Sequence, residues 1–210
     1  MHASDKLPVY PDLAGKVAVV TGGSGGIGAA TCQLLAANGA RVAVNGRDPA
    51  RIDAVVDGIL AAGGEAVGVA GDCTNPAAID RLRQQVEQAF GPAEILAAFV
   101  GGGQARPGPV ADVTEDDWRS TVDSTLTATF LTLKSFLPGM VQRGRGAIVT
   151  MASSAARLPG LGAPAPYVAA KAGSELSISS RRASPVGAAA PSAFSSAHAC
   201  HRRCGGTGDS

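Results

Sequence analysis

The chain has no histidine in its body: of three His in 210 residues, His2 stands at the start and His198 and His201 in the last segment. Without an imidazole there is no His general base, which argues against Ser-His hydrolases, His-ligated zinc hydrolases and dehydrogenases built on a His acid/base. An excess of one charge is absent too. Eighteen Lys and Arg face 17 Asp and Glu, so no strongly basic surface would neutralise a phosphate backbone, and nucleic acid is not an expected partner. No apolar run approaches the roughly 18 residues that read as a membrane span. The start, MHASDKLPVYPDLAG, lacks the apolar region of a signal peptide or anchor, and the expected location is cytoplasmic with no membrane partner. Cysteine is scarce: four residues, with Cys32 and Cys73 inside apolar patterned segments, which suits reduced core thiols better than a disulfide framework.

Glycine is what the chain has, 28 of 210 residues, about twice the usual share of roughly 7%. The glycines punctuate short apolar runs. KVAVVT (16–21) reads as a strand buried on both faces, and RVAVN (41–45), AVGVA (66–70), EILAAFV (94–100) and GAIVTM (146–151) read as four further strands. Between them the apolar spacing becomes helical. Ile27, Ala30, Thr31, Leu34 and Leu35 mark one face of a first helix. Ile52, Val55, Val56, Ile59 and Leu60 mark a second, and Ile79, Leu82, Val86, Ala89 and Phe90 a third. Thr114 caps a long helix with an acidic first turn and a stripe of Trp118, Val122, Leu126, Phe130, Leu133 and Leu137; another helix starts near Tyr167. Alternating strands and helices predict an α/β fold, a doubly wound parallel sheet in three α/β/α layers with its ligand at the carboxyl ends of the strands.

Two short motifs carry the chemistry. TGGSGGIG (21–28) stands between the first strand and first helix, where glycines let a pyrophosphate approach the backbone and the helix N-terminus meets its charge. Tyr167 and Lys171 are four apart, so a helix sets phenol and ammonium on one face; a cation beside a phenol favours phenolate, which suits a proton donor to an alkoxide. Ser154 lies thirteen residues before Tyr167, just after the fifth strand.

Together these residues resemble the short-chain dehydrogenases/reductases, over roughly Gly15 to Ser180. The resemblance implies hydride transfer between a nicotinamide cofactor and a carbonyl or alcohol, of the 3-oxoacyl or ketone reductase kind. It assigns Tyr167 as general acid/base, Ser154 to the substrate carbonyl and Lys171 to the ribose and to Tyr167. Thr125 stands where the family carries a proton-relay Asn. The cofactor residues it implies are Thr21, Gly22, Ser24, Gly26, Ile27, Gly28, Arg47, Asp72, Gly101 and Lys171. Asn45-Gly46-Arg47 places no acidic residue after the second strand, while Arg47 can pair with a 2′-phosphate, so NADP(H) is expected, with NAD as the alternative. A small-molecule carbonyl substrate and a homo-oligomer, dimer or tetramer, are the implied partners.

Two departures stand out: Ala98-Phe99-Val100-Gly101 replaces the family's Asn-Asn-Ala-Gly, and Thr125 replaces its Asn. The reading divides the chain into an arm (1–14), the dinucleotide-binding domain (15–180) and a tail (181–210) expected to be disordered. That tail resembles a coding sequence read out of frame, diverging near Ser174 to Ser180, and the family's sixth and seventh strands are expected to be missing. A non-catalytic fragment that binds nucleotide weakly or not at all is therefore the alternative function. Cys200, His201, Cys204 and His198 form no convincing zinc pattern in such a tail, and no metal site is expected.

Overall fold

The computed structural model describes residues 8–102, 106–157, 162–179 and 194–197. Its elements run β1 (Val17–Thr21), α1 (Gly26–Ala37), β2 (Arg41–Gly46), α2 (Pro49–Ala61), β3 (Glu65–Ala70), α3 (Pro76–Phe90), β4 (Ile95–Ala98) and α4 (Glu115–Val122). They continue through a π-helical turn (Asp123–Thr127), α5 (Ala128–Gln142), β5 (Ala147–Met151), α6 (Ala165–Ser179) and β6 (Phe194–Ala197). The sheet is wholly parallel, in the order β3-β2-β1-β4-β5-β6. Chain order reverses between β1 and β4, which opens a crevice beyond their carboxyl ends.

The β-branched run of β1 shows why the sheet is central. Val17 and Val19 join a core with Leu82, Leu96 and Phe136, while Ala18 and Val20 face a second core with Cys32, Val44 and Ile52. Successive side chains point to opposite faces, so both faces must be covered by helices. Burial raises both core thiols, Cys32 to about 12 and Cys73 to about 11, which leaves them inert at neutral pH.

Three expectations are corrected. α1 forms as read, but its fully buried face is Gly28, Cys32 and Ala36; of the stripe Ile27, Ala30, Thr31, Leu34 and Leu35, Leu35 packs half-buried on the core while Ile27 and Ala30 are exposed; small side chains let the helix lie close against the sheet. The long helix is interrupted by the π turn and buries Thr121, Thr125, Thr129, Thr132, Phe136 and Met140, whereas Trp118 and Phe130 of the expected stripe are 43% and 52% exposed. Finally, β6 pairs parallel with β5 from Ile148↔Phe194 to Met151↔Ala197, where no sixth strand is expected. The flank of β5 would otherwise be an open edge, and backbone pairing needs no apolar side-chain pattern. Of the expected tail, these four residues are described; the Cys200, His201, Cys204 and His198 group lies outside the described residues. No helix among the described residues is long and apolar enough to cross a membrane.

Candidate active site

A cavity of about 610 Å³ opens at the β1/β4 crevice, within the roughly 300–1,000 Å³ usual for ligand pockets. Its wall includes Gly22, Ser24, Ile27 and Gly28 from the glycine loop, Arg47 after β2, Asp72 after β3, Gly101 after β4, and Tyr167 and Lys171 from α6.

The glycine loop is shaped by backbone contact. Gly22 takes a left-handed φ of 69°, and a Cβ there would stand 3.1 Å from the Phe99 carbonyl carbon and from the Val100 nitrogen. A Cβ on Gly28 would overlap the Gly22 carbonyl oxygen, so α1 begins against the loop itself. Asp48, Asn75 and Thr114 each cap their helix by accepting backbone N–H bonds, but no side chain caps α1 at Gly25. Its first-turn amides are left for an anion at the loop. This uncapped terminus, with a cradle that a Cβ would fill, fits the pyrophosphate of a dinucleotide.

The floor under Asp72 is a buried polar network. Asn45, 1% exposed, donates through Nδ2 to the carbonyls of Val69 at 3.0 Å and Gly71 at 3.3 Å, and its Oδ1 accepts from Cys73 Sγ at 3.1 Å. The network ties the turn after β3 to the end of β2. In that turn Asp72 Oδ1 accepts from Thr74 N and Thr74 Oγ1, both at 2.9 Å.

At the other end of the cavity Lys171 is buried, 5% exposed, and burial lowers its pKa below the ordinary lysine value. Its Nζ donates to the Met151 carbonyl at 2.9 Å and lies 5.8 Å from the centre of the Tyr167 ring. Gly101 makes room for it, since a Cβ there would stand 3.1 Å from Nζ. Thr125 Oγ1, also buried, accepts from Gly102 N at 3.2 Å, and Ser124 Oγ donates to the Gly102 carbonyl. The π turn thus clamps the glycines after β4, at a place where an extra residue in a helix often marks a functional site.

The structure gathers most of the expected residues and separates a few. Thr21 lies behind the loop, fully buried, its hydroxyl without a hydrogen-bond partner among the described residues. Gly26, with φ 52°, is outside the cavity wall. Thr125 reaches the site through Gly101 and Gly102, and Ser154 starts the turn after β5, packed near α6 but not on the wall. In the Ala98-Phe99-Val100 departure, Phe99 packs on one core and Val100 on the other, and Phe99 N donates to Thr21 O at 3.2 Å. Alternating apolar contacts therefore hold the end of β4. Residues missed by sequence reasoning include Asn45, Ser124 and Met151; a lone Asn ending the apolar run RVAVN is the one visible signal among them.

A doubly wound sheet with a glycine-lined crevice at its reversal point defines a Rossmann-like domain. Residues 16–183 match the short chain dehydrogenase family, and the chain belongs to it. It is 38% identical over 169 residues to a short chain dehydrogenase of Pseudocercospora fijiensis, covering 80% of this chain and 52% of that protein. It is 36% identical over 162 residues to the 3-oxoacyl-(acyl-carrier-protein) reductase of Synechocystis, covering 77% of this chain and 64% of that one. A solved metagenomic short-chain oxidoreductase in complex with NADP matches with a TM-score of 0.75 at 37% identity, over 80% of this chain and 75% of that chain. The chain spans 52% and 64% of the two curated relatives.

Proposed function

We propose that this chain binds NADP(H) along the cavity and catalyses reversible hydride transfer between it and a carbonyl or alcohol, of the 3-oxoacyl or ketone class. The observation that carries the reading is the pairing of a buried Lys171 with Tyr167 at one end of a cavity whose other parts carry the glycine cradle and Arg47. Gly22, Ser24, Gly28 and the α1 amides would hold the pyrophosphate, Asp72 the adenine, and Arg47 the 2′-phosphate. When bound, the nicotinamide supplies or accepts the hydride at the carbonyl carbon. Tyr167 gives its phenolic proton to the oxygen that becomes the alcohol, and takes it back in the reverse direction. Lys171 spends one of its three N–H donors on Met151 O, leaving two for a ribose and for the proton path to Tyr167. Ser154 would hydrogen-bond the substrate oxygen, and Thr125 holds Gly102 where an Asn would anchor relay water.

A cytoplasmic location, a dinucleotide-binding domain over 15–180 that carries the catalytic motif, and a homo-oligomer complete the proposal. For the last, the exposed Trp118 and Phe130 offer a face to a second copy. A second reading, nucleotide binding without turnover, is favoured by the place of Ser154 outside the cavity wall. Following NADPH oxidation with a panel of ketones and a 3-oxoacyl thioester separates the two. Turnover that falls by about 10²-fold or more in Tyr167→Phe, with NADPH binding kept, is the expected result. Binding with no turnover by the unaltered chain would establish the second reading.

A further inference from the structure

We propose that Asn45 is a positioning residue for the adenine end of the cofactor: its buried amide sets the turn that carries Asp72, and through Asp72 the grip on the adenine ring; this rests on the dinucleotide reading above. Asn45 is the last residue but one of β2 and follows the apolar run Val42-Ala43-Val44. It is buried at 1% exposure, and a polar side chain is tolerated in such a place only with its hydrogen bonds made. All of them go to one turn. Both amide hydrogens are spent on carbonyls, Val69 near the end of β3 and Gly71 just beyond it, and Oδ1 accepts from the Cys73 thiol. Gly71 and Cys73 flank Asp72, so the amide holds the turn on either side of it.

The same residue reaches the glycine loop by a different route. Its main-chain carbonyl accepts from Gly23 N at 2.8 Å, and the carbonyl of the next residue, Gly46, accepts from Gly71 N at 2.8 Å. Asn45 therefore stands between the loop that would meet the pyrophosphate and the turn that would meet the adenine, holding the first by its backbone and the second by its side chain. Asn45, Gly71, Asp72 and Cys73 all lie on the cavity wall. Asp72 spends Oδ1 on Thr74, inside the turn, so its own bonds do not anchor the turn to the sheet. Aspartate has the shape of asparagine without its N–H donors, and leucine fills the space with no polar atom. Either change leaves two carbonyls without their partner, and neither touches the main-chain bond to Gly23.

The test is calorimetric titration of the full chain with NADPH, 5′-AMP and reduced nicotinamide mononucleotide, which lacks the adenine half, for the unaltered protein, Asn45→Asp, Asn45→Leu, Asp72→Ala and the Asn45→Asp/Asp72→Ala pair. Both Asn45 variants are expected to weaken NADPH and 5′-AMP by roughly tenfold, the equivalent of about one net hydrogen bond, with the mononucleotide unchanged. The pair should bind 5′-AMP little worse than Asp72→Ala alone, because both changes act on one contact. Equal weakening of 5′-AMP and the mononucleotide would show a general loosening of the fold and overturn the proposal, as would no change in either. Full additivity in the pair would refute the route through Asp72. Should neither Asn45 variant fold, Cys73→Ala, which removes one of the three side-chain bonds, decides: weakening confined to NADPH and 5′-AMP supports the assignment, and unchanged binding overturns it. An unaltered chain that binds neither NADPH nor 5′-AMP would refute the dinucleotide reading itself, and the Asn45 assignment with it.

Discussion

Gly28→Ala and Gly58→Ala are the same chemical change made in two helices, and the structure gives them opposite signs. Gly58 is exposed in α2, and nothing stands within 4 Å of where its Cβ would be. Alanine there gains about 0.5–1 kcal/mol from reduced backbone entropy alone, a rise of roughly 2–4 °C in Tm at most for a chain of this size. Gly28 would receive the same helical benefit. Its new carbon, however, overlaps the Gly22 carbonyl oxygen and comes to 2.8 Å from that carbonyl's carbon and 3.1 Å from Gly23 Cα. All of these obstacles are backbone, so no rotamer change relieves them. α1 must retreat from the loop, and a gap of about 0.5–1 Å forfeits a quarter to a half of each van der Waals contact. Overpacking of this kind costs about 1–3 kcal/mol, which leaves Gly28→Ala up to about 2.5 kcal/mol below the parent once the helix gain is subtracted. The retreat also moves the α1 amides, so NADPH affinity falls with it, whereas Gly58→Ala leaves affinity untouched. Thermal melts by circular dichroism, paired with NADPH fluorescence titration, read both effects. A Gly28→Ala protein that melts at or above the parent and binds NADPH equally well would refute the close approach of helix and loop.

Two further changes test the cavity's supports. Thr21→Val removes a buried hydroxyl that has no partner among the described residues and keeps a β-branched side chain in β1; stability should rise by about 1 kcal/mol with NADPH affinity unchanged, and a lower melting temperature would mean that the hydroxyl is engaged. Lys171→Met tests the buried ammonium through pH. The unfolded chain keeps the lysine proton up to about 10.5 while the folded chain releases it earlier, so stability rises with pH between the folded value and 10.5. Below that window the full cost of burying the charge is present. The melting advantage of ligand-free Lys171→Met over the parent should therefore shrink as pH climbs towards 10.5, and a constant difference would contradict the burial argument.

What could be read from the residues divides along a physical line. β1 and β2 were legible because a strand buried on both faces needs an unbroken β-branched run, and KVAVVT and RVAVN supply one each, whereas β3, at the edge of the sheet, buries only Val69. The helices were legible as helices, but not their faces. A reading that weighs large apolar side chains selects Ile27 and Leu34, whereas close approach to a sheet selects Gly28, Cys32 and Ala36. The same bias picked Trp118 and Phe130 over the threonines that α4 and α5 bury. In the site, the residues found were those held in one local motif: the glycine loop, or Tyr167 and Lys171 one helical turn apart. Those missed act across the sheet, as Met151 does on Lys171 or Asn45 on the turn after β3. No spacing rule links such partners, because their separation depends on the lengths of the intervening helices. The Gly25 and Arg51 pair belongs to the second kind: each looks ordinary in its own segment, and the space that a side chain on one would need is filled by the guanidinium of the other.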